Sequence, residues 1–363
     1  MPGLASNDVM PELALAREHG GSRDGELRAL GLDPSEIIDF SVNVNPYGPT
    51  EAVMRAIREA PIARYPDPTA RAARQALAEM CSVRADEVVL GNGAADLLWT
   101  IARVLLRPSA SALVVEPTFS EFRSAALSIG ARVLEWRARA SNGFAVDLEA
   151  AARLVDRAHA DVLYLCAPNT PTGVPAAIAK IAAIARARPN LTVVLDQSFL
   201  SLSDQFADAR FPPPVNVLCV RSLTKDHAIP GVRVGYVVAS RSAASTIERS
   251  RPAWATSAAA QAATIAACRD TGFVEESRRR LAEDRARLAD SLKTLGLSPV
   301  PSCAPFVIVR VKRVSGLRRR LLASHRILVR DCRSFGLPEF VRLAARPWSD
   351  VELLKAALAE ELC

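Results

Sequence analysis

Short apolar runs alternate with longer amphipathic stretches through the first two thirds of the chain. Several of these runs are continuous rather than alternating, which is typical of strands buried on both faces of a sheet. We predict strands at Val88–Leu90, Ala112–Glu116, Arg132–Glu135, Val162–Cys166, Thr192–Asp196, Asn216–Val220 and Val234–Ala239. Helical patterns lie between them, for example at Ala94–Leu106, Glu121–Ile129 and Ala176–Ala187. This alternation predicts an α/β fold with a mostly parallel sheet flanked by helices.

The pattern changes after about residue 245. Val274, Leu281 and Leu288 recur at helical spacing among Arg, Glu and Asp, which predicts a long amphipathic helix with a solvated face. Beyond it we predict a smaller α+β unit with strands at Phe306–Val311 and Phe340–Ala344 and helices at Leu317–Ser324 and Asp350–Leu362. We therefore expect a large domain at residues 50–245 and a small C-terminal domain at 246–363. Residues 1–49 are expected to join the small domain and to border the substrate entry.

Composition and charge narrow the classes of function. The chain has 363 residues, of which 50% are hydrophobic, so it can bury a large core. Its net charge is +7, but the Arg residues are mixed with Asp and Glu, and no basic run carries interleaved aromatic residues. We therefore expect no nucleic-acid partner. No apolar run is long enough to span a membrane, and Met1–Arg17 lacks the pattern of a signal peptide, so we expect no membrane partner and a cytoplasmic location.

The cysteines argue for a reducing compartment. They are odd in number and scattered, and no two form a Cys-x-x-Cys pair; they lie at Cys81, Cys166, Cys219, Cys268, Cys303, Cys332 and Cys363. Neither a disulfide framework nor a zinc site fits this arrangement, and we expect no metal.

The segment that most strongly indicates a reactive site is Arg221-Ser-Leu-Thr-Lys225, which follows a predicted buried strand. Two hydroxyls, Ser222 and Thr224, precede the lysine, and Arg233 follows eight residues later. Hydroxyls and a guanidinium are groups that bind phosphate. A lysine in a desolvated pocket has a lowered pKa and can form a Schiff base with an aldehyde. A lysine in a loop is more commonly an exposed charge, so Lys225 alone does not decide the function.

The whole segment resembles the lysine motif of fold-type I pyridoxal-phosphate (PLP) enzymes, the aminotransferase class I/II superfamily. The resemblance extends over nearly the whole chain and implies PLP as the cofactor, with Lys225 as its Schiff-base residue. Asp196, at the end of an apolar run, matches the aspartate that pairs with the pyridine nitrogen and keeps the ring an electron sink. The resemblance also implies a homodimer and a small amino-acid substrate.

Further motifs match the superfamily in the right order. Gly91-Asn-Gly93-Ala94-Ala95 resembles the phosphate cup at a helix N-terminus. Phe119 is placed like the aromatic residue that stacks on the ring, and Thr170 lies in the turn beside the ring. Tyr65 matches the tyrosine that reaches the PLP phosphate of the partner subunit.

Features near both ends resemble histidinol-phosphate aminotransferases and, more closely, the threonine-phosphate decarboxylases of cobalamin biosynthesis. These features are His19-Gly-Gly21, Asp39-Phe-Ser-Val-Asn43-Val-Asn45-Pro46, and the C-terminal arginines of Ile327-Leu-Val-Arg330 and Phe340-Val-Arg342. The resemblance implies that Arg342 binds the substrate carboxylate. It also implies that His19, Asn43 and Arg330 line the pocket for the substrate's phosphate. Each residue also has an ordinary structural interpretation, such as a surface ion pair for the arginines.

Four positions depart from the family pattern. Thr170 replaces the usual Asn before Pro-Thr-Gly, Gln197 follows Asp196, and Asp226 and His227 replace two aromatic residues after the lysine. We predict decarboxylation of an L-threonine-O-3-phosphate-like substrate. One alternative is an aminotransferase of the histidinol-phosphate type. The other is a paralogue from specialised metabolism that catalyses decarboxylating deamination or elimination on a larger amino-acid conjugate. A non-catalytic binding protein of this fold would not need the lysine.

Overall fold

The computed structural model describes residues 19–209 and 213–362. In chain order its strands are β1 (Ile38–Asp39), β2 (Val88–Gly91), β3 (Ser111–Glu116), β4 (Arg132–Arg137), β5 (Val162–Cys166), β6 (Thr192–Asp196), β7 (Val217–Ser222), β8 (Gly235–Val238), β9 (Phe306–Arg310), β10 (Ile327–Leu328), β11 (Arg330–Asp331) and β12 (Phe340–Ala344). Every strand predicted from the sequence is therefore present, with ends shifted by at most two residues.

The helices lie between these strands. They are α1 (Asp24–Leu30), α2 (Glu51–Arg58), α3 (Arg71–Cys81), α4 (Ala94–Leu105), α5 (Glu121–Ser128), α6 (Leu148–Ala158), α7 (Ile178–Arg186), α8 (Arg241–Arg249), α9 (Ala258–Arg269), α10 (Thr271–Thr294), α11 (Val314–His325) and α12 (Trp348–Leu362). The predicted amphipathic helix is α10, in which Leu281 and Leu288 are buried. No helix in this part of the chain has the length and apolarity needed to cross a bilayer.

The large sheet has seven strands in the order β2-β8-β7-β6-β5-β3-β4. All neighbours are parallel except β8, which pairs antiparallel with both β2 and β7. Successive side chains point to opposite faces, so Val88 and Leu90 join one core cluster while Val89 joins the other. Helices cover both faces, because Leu77 of α3 lies in the first cluster and Leu97 of α4 in the second. The predicted α/β architecture is confirmed.

The C-terminal part forms a three-stranded antiparallel sheet in the order β11-β12-β9. The N-terminal segment joins it through β1, which pairs in parallel with β10 and sets Ile38 opposite Ile327. A separate core cluster, which includes Phe40 and Leu288, packs this region. The domain limits at residues 49 and 245 remain predictions.

The parallel strands place their carboxyl ends along one edge of the large sheet, which is where ligands bind in open α/β sheets. Loops from five strands meet there. Asp196 ends β6, Lys225 follows β7, Thr170 follows β5, Phe119 follows β3, and Gly93 follows β2. Sequence motifs that are far apart in the chain therefore converge on one place.

Candidate active site

A cavity of about 300 Å³ lies at this edge, between the large sheet and the C-terminal part. It is lined by thirteen of the fifteen predicted site residues: His19, Asn43, Ala94, Ala95, Phe119, Thr170, Asp196, Ser222, Thr224, Lys225, Arg233, Arg330 and Arg342. Gly93 is not a lining residue, but it precedes the lining residue Ala94 and lies close to the lining side chain of Arg233; Tyr65 does not line the cavity.

Lys225 reaches into the cavity from the loop after β7. Its Nζ lies 5.0 Å from the centroid of the Phe199 ring, and its carbonyl accepts a hydrogen bond from the Asn45 N–H at 3.0 Å. Burial lowers the pKa of Lys225 below its ordinary value, and the carboxylates of Asp196 and Asp226 oppose this only in part. A lowered pKa leaves more of the amine unprotonated, which is the form that attacks an aldehyde.

Asp196 is 3% exposed and is held in place by two donors. Its Oδ1 accepts a hydrogen bond from the Ser198 N–H at 2.9 Å, and its Oδ2 accepts one from the Tyr164 hydroxyl at 3.4 Å. Cys166, its partner in the β5–β6 register, also lines the cavity, and burial raises the pKa of that thiol to about 12. Tyr164 and Cys166 were not predicted from the sequence as parts of the site. A buried carboxylate with few donors is suited to pairing with a cationic N–H group.

The N-terminus of α4 forms an anion-binding corner. Gly93, the N-cap, has φ 89°, and a Cβ built there would lie 2.6 Å from Nη2 of Arg233. Ser222 and Thr224 share a hydrogen bond of 2.7 Å between their hydroxyls nearby. Backbone N–H groups at a helix N-terminus, two hydroxyls and a guanidinium form a suitable site for a phosphate group.

Two further lining side chains, Phe119 and Thr170, come from the neighbouring loops after β3 and β5. Phe119 lies beside His19, with ring centroids 5.5 Å apart and an angle of 37° between the planes. The Thr170 hydroxyl is buried and has no hydrogen-bond partner among the described residues. The neighbouring Asn169 instead donates to the Pro117 carbonyl and to the Thr172 hydroxyl. Thr170 therefore carries a polar atom that a bound group can pair with.

The far end of the cavity carries two arginines that face each other across a strand pair. Arg330 of β11 and Arg342 of β12 are partners in the antiparallel register. Arg342 donates from Nη2 to the Ser41 carbonyl at 2.9 Å, while its Nε has no partner. Arg330 donates from Nη2 to the Ser334 hydroxyl at 2.6 Å. Burial lowers the pKa of Arg342 to about 10, so it still carries its charge at neutral pH.

Like charges placed opposite each other across two strands repel, so this pair predicts an anionic ligand between the arginines. Asn43 supports the same interpretation, because it is 6% exposed and neither atom of its amide has a described partner. His19 contributes at the rim, where its Nε2 lies 2.7 Å from Glu121 Oε1. A buried amide without partners indicates a place where a ligand supplies them.

Tyr65 does not contribute to the cavity of its own chain. It is 77% exposed, and its ring stacks on the exposed Trp254 with centroids 4.6 Å apart. Its role across a subunit interface therefore remains a prediction.

Metal and disulfide chemistry find no support in the part of the chain described. Residues 19–209 and 213–362 contain no group of three or more His, Cys, Asp or Glu side chains arranged to hold a metal ion. No disulfide joins the cysteines described in the same ranges.

Known proteins resemble this chain along most of its length. The sequence profile of aminotransferase class I and II matches residues 35–360. The chain is 34% identical over 345 residues to a histidinol-phosphate aminotransferase of Symbiobacterium thermophilum, covering 92% of this chain and 93% of the relative. It is 34% identical over 358 residues to a threonine-phosphate decarboxylase of Salmonella typhimurium, covering 95% and 96%. The structure of histidinol-phosphate aminotransferase from Sinorhizobium meliloti with pyridoxal-5'-phosphate matches with a TM-score of 0.84 at 25% identity, covering 96% of both chains.

Proposed function

Because this chain belongs to the aminotransferase class I and II family, it is a PLP-dependent enzyme, and we propose that it decarboxylates an L-threonine-O-3-phosphate-like amino acid. One observation carries the proposal. A single cavity contains a buried lysine, an aspartate and two facing arginines, Arg330 and Arg342. That set matches a cofactor with an aldehyde and a ring nitrogen, together with a substrate that carries two anions.

The residues present fit each polar group of PLP. Lys225 would hold the aldehyde, Asp196 would pair with the ring nitrogen, and the Thr170 hydroxyl would pair with the ring oxygen. The phosphate is assigned to the corner formed by the N-terminus of α4, Ser222, Thr224 and Arg233. When bound, PLP supplies an electron sink for the negative charge that develops at Cα of the substrate.

The chain's own residues then decide which bond at Cα breaks. We assign Arg342 to the substrate carboxylate, because a guanidinium can bind both oxygens and so fix the rotation about the bond to Cα. Lys225 lies within the same cavity, and its amine would hold or deliver a proton at Cα of the substrate. Phe119 and Phe199 line the same cavity, and we assign to their apolar rings the exclusion of water from that part of it.

Two anion sites favour a substrate with two anions. O-phospho-L-threonine carries a carboxylate for Arg342 and a phosphate for Arg330, with the Asn43 amide available to either group. Histidinol phosphate has a phosphate but no carboxylate. The second candidate function is nevertheless transamination of histidinol phosphate, which several relatives at 33–34% identity favour by name.

Products distinguish these functions. PLP-loaded enzyme is incubated with O-phospho-L-threonine, and separately with histidinol phosphate plus 2-oxoglutarate, while CO₂ and glutamate are measured. We expect CO₂ from the first mixture and no glutamate from the second, with Lys225→Ala as the inactive control. Arg330→Ala should reduce turnover of O-phospho-L-threonine far more than that of L-threonine. Formation of glutamate in the second mixture without CO₂ in the first would reject decarboxylation and show that the enzyme is a transaminase.

We also propose a homodimer in the cytoplasm. The exposed aromatic pair Tyr65 and Trp254 supports the dimer, since paired aromatic rings are enriched at subunit interfaces. The described cysteines form no disulfide with one another, which supports a reducing compartment. Sedimentation at assay concentration tests the dimer, and a fully active monomer would contradict it.

A further inference from the structure

A second cavity adjoins the proposed active site at its arginine end. It has a volume of about 230 Å³ and shares four residues with the active-site cavity: His19, Gly20, Ser41 and Arg330. We call this second cavity the vestibule. Because Arg330 lines both spaces, a ligand group bound to Arg330 stands at the boundary between them.

The vestibule is rich in arginine. Besides Arg330, its walls include Arg23, Arg318 and Arg333, against the carboxylates of Glu26 and Asp331. The described lining residues carry four guanidinium groups and two carboxylates, which is an excess of two positive charges. Such an excess attracts anions, and the attraction is strengthened inside a concave surface.

The ion pairs in the vestibule hold its walls in place. Arg318 forms two hydrogen bonds to Glu26, at 2.6 and 2.8 Å, which join α11 to α1. Arg333 donates from Nη2 to Asp331 Oδ2 at 3.0 Å, and its side chain is 52% exposed. Arg318 and Arg333 are thus positioned by these ion pairs, and an anion that enters does not have to order them first.

The proposed substrate leaves this space unused. A carboxylate at Arg342 and a phosphate at Arg330 account for both anions of O-phospho-L-threonine, and both arginines lie in the active-site cavity. The vestibule begins beyond Arg330 and is lined by Arg23, Arg318 and Arg333. Among the described residues, the apolar side chains that line it are Leu328 and Val329 alone, so it is suited to a charged group rather than an apolar one.

We propose that the vestibule binds a further anionic group of the substrate, so that the natural substrate is an amino acid with an extended polyanionic side chain, such as a diphosphate ester. This inference rests on the proposed function, since it places the substrate's first anion at Arg330. It deepens that function by naming the substrate class, and it assigns Arg23 and Arg333 as specificity residues.

The test measures binding rather than turnover. Inorganic phosphate, pyrophosphate and tripolyphosphate are titrated calorimetrically into the PLP-loaded enzyme, in which the cofactor's own phosphate fills the corner at α4. We expect pyrophosphate and tripolyphosphate to bind at least about tenfold more tightly than phosphate, because only they can extend from Arg330 into the vestibule. Arg333→Ala and Arg23→Ala should remove most of that preference and leave the affinity for phosphate nearly unchanged.

Arg279→Ala is the matched control, because Arg279 is exposed on α10 and pairs there with Glu276 and Glu283. It should leave all three affinities unchanged. Equal affinities for the three anions would overturn the proposal, as would a preference that Arg333→Ala and Arg279→Ala reduce equally. The two proposals can fail separately. A vestibule-dependent preference in an enzyme that does not decarboxylate O-phospho-L-threonine would support the vestibule and reject the simpler substrate.

Discussion

Asp226, the residue after the lysine that we assign to PLP, is expected to make the protein less stable as the pH rises. Its side chain is 3% exposed, and its Oδ1 has no hydrogen-bond partner among the described residues. Burial raises the pKa of this carboxyl from 3.8 to about 7, although a hydrogen bond with Ser201 and the charges of Lys225 and Arg221 oppose the change. Asp226→Asn removes the ionisation and nearly keeps the shape.

The sign follows from proton binding. Between the unfolded pKa near 3.8 and the folded pKa of about 7, the folded protein holds a proton that the unfolded chain has released. The stability that this proton confers is complete below the unfolded pKa and is lost as the pH rises through the folded pKa. The slope is about 1.4 kcal/mol per pH unit in that window. From about pH 5.5 to about pH 8 the loss is therefore roughly 2 kcal/mol.

Urea unfolding of the PLP-loaded protein at these two pH values provides the assay. We compare the free energy of unfolding of Asp226→Asn with that of the unsubstituted protein at each pH. This difference should be about 2 kcal/mol more favourable to the variant at the higher pH than at the lower pH. Any constant effect of the substitution cancels in this comparison. Asp290→Asn removes a carboxylate that is exposed on α10, and it should change the stability little at either pH. If Asp226→Asn changes the free energy of unfolding by the same amount at both pH values, the argument is refuted.

Three substitutions test other parts of the site. Arg342→Lys should raise KM for O-phospho-L-threonine and lower kcat, because a lysine cannot bind both carboxylate oxygens; an unchanged KM would remove Arg342 from the carboxylate site. Gly93→Ala should weaken PLP binding at least about tenfold in fluorescence titrations, since its Cβ would meet Arg233 and its φ is 89°. Gly143→Ala is the control, because Gly143 also has a positive φ but has open space around it; this substitution should leave PLP binding unchanged. Tyr65→Phe keeps the stacked ring and should weaken PLP retention by roughly 1.5–3 kcal/mol through loss of one phosphate hydrogen bond; unchanged retention during dialysis would argue against a role across the interface.

Much of the fold was predictable because its central strands are buried on both faces. β3 and β5 are buried along their whole length, so they appear in the sequence as continuous apolar runs. By contrast, β1, β10 and β11 were not predicted, since two residues are too few to show a periodicity. These short strands matter to the site, because β1 ties the N-terminal segment to the C-terminal part.

The positions of the site residues were predictable only in part. Lys225 and Asp196 stood out by their places after apolar runs, and the motifs around them resembled a known family. The register that sets Arg330 opposite Arg342 depends on the pairing of β11 with β12, which no local pattern encodes. Tyr164 reaches Asp196 from the neighbouring strand, and residue spacing does not reveal such a contact.

The central claim is that Lys225 binds PLP through its amine, and borohydride reduction followed by peptide mapping tests it most directly. The reduced enzyme carries the cofactor on whichever lysine held it, and activity is not needed for the result. Lysine occurs elsewhere only at Lys180, Lys293, Lys312 and Lys355. We expect the label on the peptide that contains Lys225 and no label in Lys225→Ala. A label on any other lysine, or an enzyme that takes up none, would contradict the account.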